Sequence, residues 1–169
     1  MTIDISGILK ELGGKIEVNG DVEIDSFEFN GSEYAFASPV RLKGSVANNG
    51  KALVLRTDAE VTLLTECARC LKDISVKETF PIEESFIRSD EASPEDEDAY
   101  IFDGGTITVD DAVRDNLFMN IKGRYLCSED CRGICPQCGK NLNDGECGCE
   151  SEFIDPRWAG LADLMKKDQ

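Results

Sequence analysis

Eight cysteines in a chain without a single histidine limit what this sequence can fold into. They are Cys67, Cys70, Cys127, Cys131, Cys135, Cys138, Cys147 and Cys149, and five of them fall within the nineteen residues CRGICPQCGKNLNDGECGC, 131–149. Cys67/Cys70 and Cys135/Cys138 have C-x2-C spacing. Three residues separate Cys127 from Cys131, and Gly148 alone separates Cys147 from Cys149. A C-x2-C turn lets two thiolates converge on one ion while backbone N–H groups point at the sulfurs, and zinc takes four such ligands in a tetrahedron at ~2.3 Å. Eight cysteines therefore make two sets of four. Cys135, Cys138, Cys147 and Cys149 form a short local set, C-x2-C-x8-C-x-C, whose loop closes at small entropic cost. In CPQCG the proline and glycine shape a tight knuckle, with Gly139 free to take the positive φ that a side chain resists. The remaining four, Cys67, Cys70, Cys127 and Cys131, are distant in sequence, and joining them would staple the cysteine-rich segment onto what precedes it. Exchange of Cys127 or Cys131 between the sets stays open.

Other uses of these thiols fit less well. The opening MTIDISGILKEL has Asp4 early and no basic start before an apolar run, which predicts no signal peptide and a cytoplasmic chain. In that reducing compartment disulfides are rare. A thioredoxin-like redox pair needs a strand-to-helix context, whereas a second strand pattern follows Cys70. Iron–sulfur clusters also take four thiolates, but the knuckle spacing suits zinc better. Catalytic zinc leaves a position for water and typically uses histidine or carboxylate. The expectation is two structural zinc ions.

The sequence around the cysteines predicts an α+β protein: a curled antiparallel sheet or partial barrel of four or five strands, a few helices, and a C-terminal cysteine-rich zinc-binding segment. Ile5, Ile8, Leu9 and Leu12 share a helical face behind Asp4, so a short helix is expected over 4–12, stopped by Gly13-Gly14. From Lys15 to about Ile87 the period becomes two. VEIDSFEF alternates without a clear buried face, while Val40, Leu42 and Val46 oppose Arg41, Lys43 and Ser45. Asn49-Gly50 predicts a hairpin in which both central residues take positive φ. Leu53, Leu55, Ala59, Val61 and Leu63 then share one face of a long strand, and Ile74, Val76, Phe80 and Ile82 alternate in the next. SDEASPEDED, 89–98, reads as an acidic linker or mobile loop. A helix is expected over 108–121 with Thr108 as N-cap, Asp110 and Asp111 in its first turn, and Val109, Ala112, Val113, Leu117 and Ile121 on one face. A last helix is expected from Asp155, with Trp158, Leu161, Leu164 and Met165 as its apolar stripe. The resulting division is a mainly β domain at 1–88 carrying the first knuckle, an acidic linker at 89–107, and a segment at 108–169 packing on the β domain.

Taken together, CARCL at 67–71, a later helix, CSEDCRGICPQCGKNLN from Cys127 to Asn143, a C-x-C pair and DPRW at 155–158 resemble the YceD family of bacterial "large ribosomal RNA subunit accumulation" proteins, which has relatives in chloroplasts. The resemblance covers nearly the whole chain. It rests on Gly133, Cys135, Pro136, Cys138, Gly139, Asn141, Leu142 and Asn143, with Asp155, Pro156 and Arg157 in the tail; Ile134 stands where leucine is common. It implies a role in making or accumulating the large-subunit ribosomal RNA, and the expectation is a non-enzymatic one.

The partner implied is a large-subunit ribosomal protein, ribosomal RNA or a pre-ribosomal particle. The formal net charge of -16 argues against a broad grip on phosphates and for a basic protein. Direct RNA contact would use local cations near the knuckles: Arg69, Lys72, Lys122, Arg124, Arg132 and Lys140. A metal-dependent nuclease would need converging carboxylates, and the adjacent pairs Asp110-Asp111 and Glu83-Glu84 diverge on a helix or strand. A zinc-dependent nucleic-acid-binding regulator would need a basic recognition element that is not apparent in the sequence. No apolar run approaches the ~20 residues of a membrane span.

Overall fold

Two long strands joined by a six-residue loop organise the chain. In the computed structural model, which describes residues 1–29 and 31–149, β6 (Leu53–Glu66) and β7 (Asp73–Arg88) pair antiparallel without interruption from Leu53↔Phe86 to Glu66↔Asp73. The cause is plain in β6: Leu53, Leu55, Ala59, Val61 and Leu63 are buried while Arg56, Asp58, Leu64 and Glu66 face out. Thr57 and Thr65 complete the buried face.

The chain forms two compact units. The first comprises 1–68 and 72–127; the second comprises 69–71 and the chain from Ser128 onward. In the first, strands β1 (Thr2–Asp4), β2 (Lys15–Val22), β3 (Phe27–Phe29), β4 (Ser32–Phe36) and β5 (Val40–Asn48) precede β6. The main sheet runs β2-β5-β6-β4-β3, with β7 on the other edge of β6 and β8 (Tyr100–Phe102) on β7. The sheet is open rather than closed. Its seven strands exceed the expected four or five, because short strands at 27–29, 32–36 and 100–102 join the long ones. β8 runs parallel to β7, so the sheet is mixed where an antiparallel one is expected. β9 (Thr106–Thr108) pairs with β1 in a separate ribbon.

β5 crosses β6 closely at Gly44, opposite Thr57. A Cβ on Gly44 would lie 2.1 Å from the Arg56 carbonyl oxygen and 2.4 Å from Thr57 Cα. The β5–β6 hairpin forms at the expected place, but with a different turn. Only Gly50 has positive φ, 92°, and Asn49 folds the loop through its side chain: its Oδ1 accepts from the backbone N–H groups of Lys51 and Ala52 at 2.9 and 2.8 Å.

The helix expected over 4–12 is absent. Thr2–Asp4 is a strand, and Ile5 starts a single turn in which the N–H groups of Ile8 and Leu9 both reach the Ile5 carbonyl. Ile5 and Ile8 are buried as a helical face would have them, yet Leu12 is 76% exposed. A three-residue apolar spacing is met equally by one turn of chain. The strand pattern in VEIDSFEF also breaks: β2 ends at Val22 and β3 begins at Phe27.

The helix α1 spans Asp110–Asn120. Val109, Ala112, Val113, Leu117 and Ile121 are buried in one core with Leu42, Leu55 and Ile82 of the sheet. Asp110 and Asp111 occupy the first turn, where the helix dipole favours them. Thr108 is not the N-cap: it ends β9, and Val109 takes the cap position without a side-chain bond. The acidic stretch is anchored at Asp96. Its carboxylate meets Lys51 Nζ at 2.8 Å and accepts from Ser93, and the Lys51 bond with the Ser93 bonds behind it holds the carboxyl down to about 2.

In the second unit, Ile134 and Asn141 form an isolated antiparallel bridge, and Leu142–Asp144 makes one 3-10 turn. The helix expected from Asp155 lies outside the described residues. Among the described residues no helix is long and apolar enough to cross a membrane.

Candidate metal centres

The two C-x2-C turns have the same backbone form. The β6–β7 ladder closes at Glu66↔Asp73, leaving 67–72 as a loop; the Ile134↔Asn141 bridge leaves 135–140. In each loop the first cysteine's N–H donates to the carbonyl five residues on: Cys67 to Lys72 and Cys135 to Lys140, both at 2.8 Å. The residue after the second cysteine is left-handed in both, Leu71 at φ 59° and Gly139 at φ 73°. Gly139 takes this conformation freely, whereas a side chain there costs ~1–2 kcal/mol. Leu71 is also 58% exposed, so little apolar burial offsets that cost. Leu71→Gly is therefore expected to leave stability unchanged or raise it by up to about 1 kcal/mol, and Gly139→Leu to lower it by about 1–2 kcal/mol, in paired denaturant titrations. A loss above about 1 kcal/mol in Leu71→Gly would sink this account of the knuckle.

The sulfurs converge in two groups of four. Within Cys67, Cys70, Cys127 and Cys131, and again within Cys135, Cys138, Cys147 and Cys149, all Sγ atoms lie within 4.8 Å of one another. Sequence spacing partitions the eight in the same way. Cys67, Cys70, Cys131 and Cys135 are buried, Cys147 and Cys149 half-buried, Cys127 and Cys138 exposed. Four ligands at ~2.3 Å from a tetrahedral zinc sit ~3.8 Å apart, so either group could hold such an ion, with every coordination position taken by sulfur. In the second group the backbone N–H groups of Cys138 and Gln137 point at Cys135 and pull its thiol down to about 6. Cys149, held first by a hydrogen bond with the Cys138 side chain and then by its own desolvation, is pushed up to about 12.

The remaining candidates are tied up differently. Arg69 Nη1 donates to the carbonyls of Glu129 and Cys131 at 3.1 and 3.0 Å. Lys122 pairs with Glu78 at 3.0 Å, Arg132 lies 3.9 Å from Glu146, and Lys140 donates to the Glu146 carbonyl at 2.8 Å. The side chains of Lys72 and Arg124 keep no ion pair or hydrogen bond among the described residues. The acidic pairs are likewise engaged: Asp110 with the Met1 amino group, Asp111 with Arg114, Glu83 with Arg56, and Glu84 with Asn116. Asn143 is a contact that spacing does not single out: its Nδ2 lies 3.4 Å from Cys131 Sγ. The asparagines of KNLN, immediately past the knuckle, are the only sequence trace of it.

Comparison with known proteins bears on the same region. The profile of the family described as "Large ribosomal RNA subunit accumulation protein YceD" matches residues 55–165. An uncharacterized protein of Mycobacterium tuberculosis is 30% identical over 172 residues, covering 98% of this chain and 81% of its own length. An uncharacterized Bacillus subtilis protein, YlbN, is 28% identical over 90% of this chain and 89% of its own. An Arabidopsis thaliana protein named "Large ribosomal RNA subunit accumulation protein YCED homolog 1, chloroplastic" is 32% identical over 63 residues, 37% of this chain and 20% of its own. No solved structure matches.

Proposed function

The chain belongs to the YceD family, and from that premise we propose that it is a cytoplasmic, non-enzymatic factor supporting synthesis, processing or accumulation of the large-subunit ribosomal RNA, with two structural zinc ions held by its eight cysteines. The observation that carries the zinc reading is the pair of four-sulfur groups on like-built knuckles. All-thiolate coordination leaves no position for a reacting water, so each ion would serve the fold and not a reaction. Cys67, Cys70, Cys127 and Cys131 would hold one ion; Cys135, Cys138, Cys147 and Cys149 the other.

A nuclease reading finds less support. Asp110, Asp111, Glu83 and Glu84 each have a structural partner, and Glu83 and Glu84 are neighbours on a strand and point to opposite faces. For the partner, charge favours a basic large-subunit ribosomal protein within a pre-ribosomal particle. A net charge of -16 steers a polybasic chain toward the surface and repels phosphate. Of the six cations near the knuckles, four are engaged by carboxylates or carbonyls, which leaves Lys72 and Arg124 to meet RNA.

The test is a tagged pull-down from growing cells at moderate salt, with and without ribonuclease, read by mass spectrometry and RNA quantification. A basic large-subunit ribosomal protein retained after ribonuclease is the expected result. Recovery of large-subunit RNA alone, lost on ribonuclease treatment, would overturn the protein-partner reading and keep the ribosomal one. Recovery of neither would overturn both.

A further inference from the structure

The side chain of Asn143 links the segment behind the second knuckle to a sulfur of the other group. Its Nδ2 donates to Cys131 Sγ at 3.4 Å and to Asn141 Oδ1 at 2.8 Å, while its Oδ1 accepts from the Arg132 N–H at 2.8 Å. These three contacts fix the amide's orientation. Turned over, its oxygen would face a sulfur and an oxygen acceptor, and its NH2 would face a donor. The amide is also anchored from behind. Asn141 Oδ1 accepts the Asn143 backbone N–H at 2.9 Å, and Asn141 itself closes the second knuckle through its bridge to Ile134.

We propose that Asn143 is a positioning residue for the metal held by Cys67, Cys70, Cys127 and Cys131, supplied by the segment that carries the other centre. This rests on the metal reading above. A ligating sulfur carries negative charge; an N–H donor disperses that charge and fixes the direction of the side chain. Partners of this kind are typically worth ~10–100-fold in metal affinity. Asn143 lies in the 3-10 turn Leu142–Asp144 directly behind the second knuckle, so the donor comes from the segment that carries the other centre.

The experiment uses the reduced full-length chain loaded with zinc and challenged with graded chelator. Released zinc is read with a chromogenic indicator, and the freed thiols by alkylation and mass spectrometry. Asn143→Asp replaces the donor by a carboxylate that repels the thiolate. It is expected to free Cys67, Cys70, Cys127 and Cys131 at ~10–100-fold lower chelator, with the other four cysteines within about threefold of wild type. Asn141→Asp keeps the acceptor that holds Asn143 and is expected to stay within about threefold for both groups. In the cobalt-loaded chain, Asn143→Asp and Asn143→Leu should shift the sulfur-to-cobalt charge-transfer band, and Asn141→Asp should not. Asn143→Leu removes the donor without adding charge and reports if the Asp variant fails to fold. Wild-type release from Asn143→Asp and Asn143→Leu, or earlier release of the Cys135 group, overturns the inference. A wild-type chain that binds no zinc overturns the metal reading instead.

Discussion

Chelation at neutral pH is expected to release two zinc ions per chain and to unfold residues 128–149 while β6 and β7 stay paired. The reason lies in how little the described residues of the second unit bury. Among its described residues the buried ones are Cys70, Cys131, Gly133 and Cys135. Ile134 is 38% exposed, and none of the described leucines of this unit is buried. With so little apolar burial among the described residues, folding of 128–149 is expected to draw on metal binding, which supplies ~10–16 kcal/mol in isolated zinc-binding peptides. The β unit has its own core, centred on Leu42, Leu55, Leu63, Ile82 and Leu117. Metal analysis gives the stoichiometry, and hydrogen exchange with and without chelator locates the loss of protection. A single ion per chain would remove the Cys67 group from the metal sites, and bound iron would retire zinc. Protection of 128–149 that survives metal removal would show that some other interaction holds the segment.

The second large effect is expected from one methyl group. Gly44→Ala should destabilise the β unit by about 3 kcal/mol or more, a fall in Tm on the order of 10 °C. The added Cβ would sit 2.1 Å from the Arg56 carbonyl oxygen and 2.4 Å from Thr57 Cα. Both atoms are backbone of the central strand, which cannot yield without opening the β5–β6 ladder. Gly7→Ala is the control, since nothing lies within 4 Å of its added Cβ, and should change stability by less than about 0.5 kcal/mol. Thermal unfolding of the two variants beside the parent decides it. An undisturbed Gly44→Ala would mean that β5 lies farther from β6 than described.

Features carried by periodicity or by ligand chemistry were legible in the sequence. The alternation in β6 and the apolar face of α1 follow from local spacing that burial then enforces, and the Cys135, Cys138, Cys147 and Cys149 sulfurs that spacing puts in one local set lie together. Features set by pairing partners were not. Tyr100–Phe102 stands alone beside an acidic run, and nothing local announces that it joins β7 in parallel. The segment around Ile5 and Ile8 satisfies a helical spacing, yet the Ile3↔Ile107 pairing with β9 draws the chain just before it into a strand. The turn at Asn49 formed where expected but by side-chain capping, because asparagine offers two routes into a turn.

The knuckles show the same division. Gly139 advertises a left-handed position, whereas Leu71 adopts it with no sign in its own identity. Asn143 is legible as part of the run that carries the family resemblance; that its amide faces Cys131 depends on the three contacts that orient it.

The six-residue loop at 67–72 has a further consequence for how this chain can vary. It sits at the closed end of a ladder in which buried and outward residues largely alternate, so its length sets which residues of β7 oppose which of β6. Adding or deleting one residue there would shift that pairing by a step. Phe80, Ile82 and Phe86 would then turn outward and Thr79, Glu83 and Ser85 inward. The constraint is one of counting, not of chemistry: substitutions in the loop can be absorbed one by one, but insertions and deletions cannot. Length changes among relatives should therefore accumulate elsewhere, as in the acidic stretch at 89–98, where no ladder keeps count.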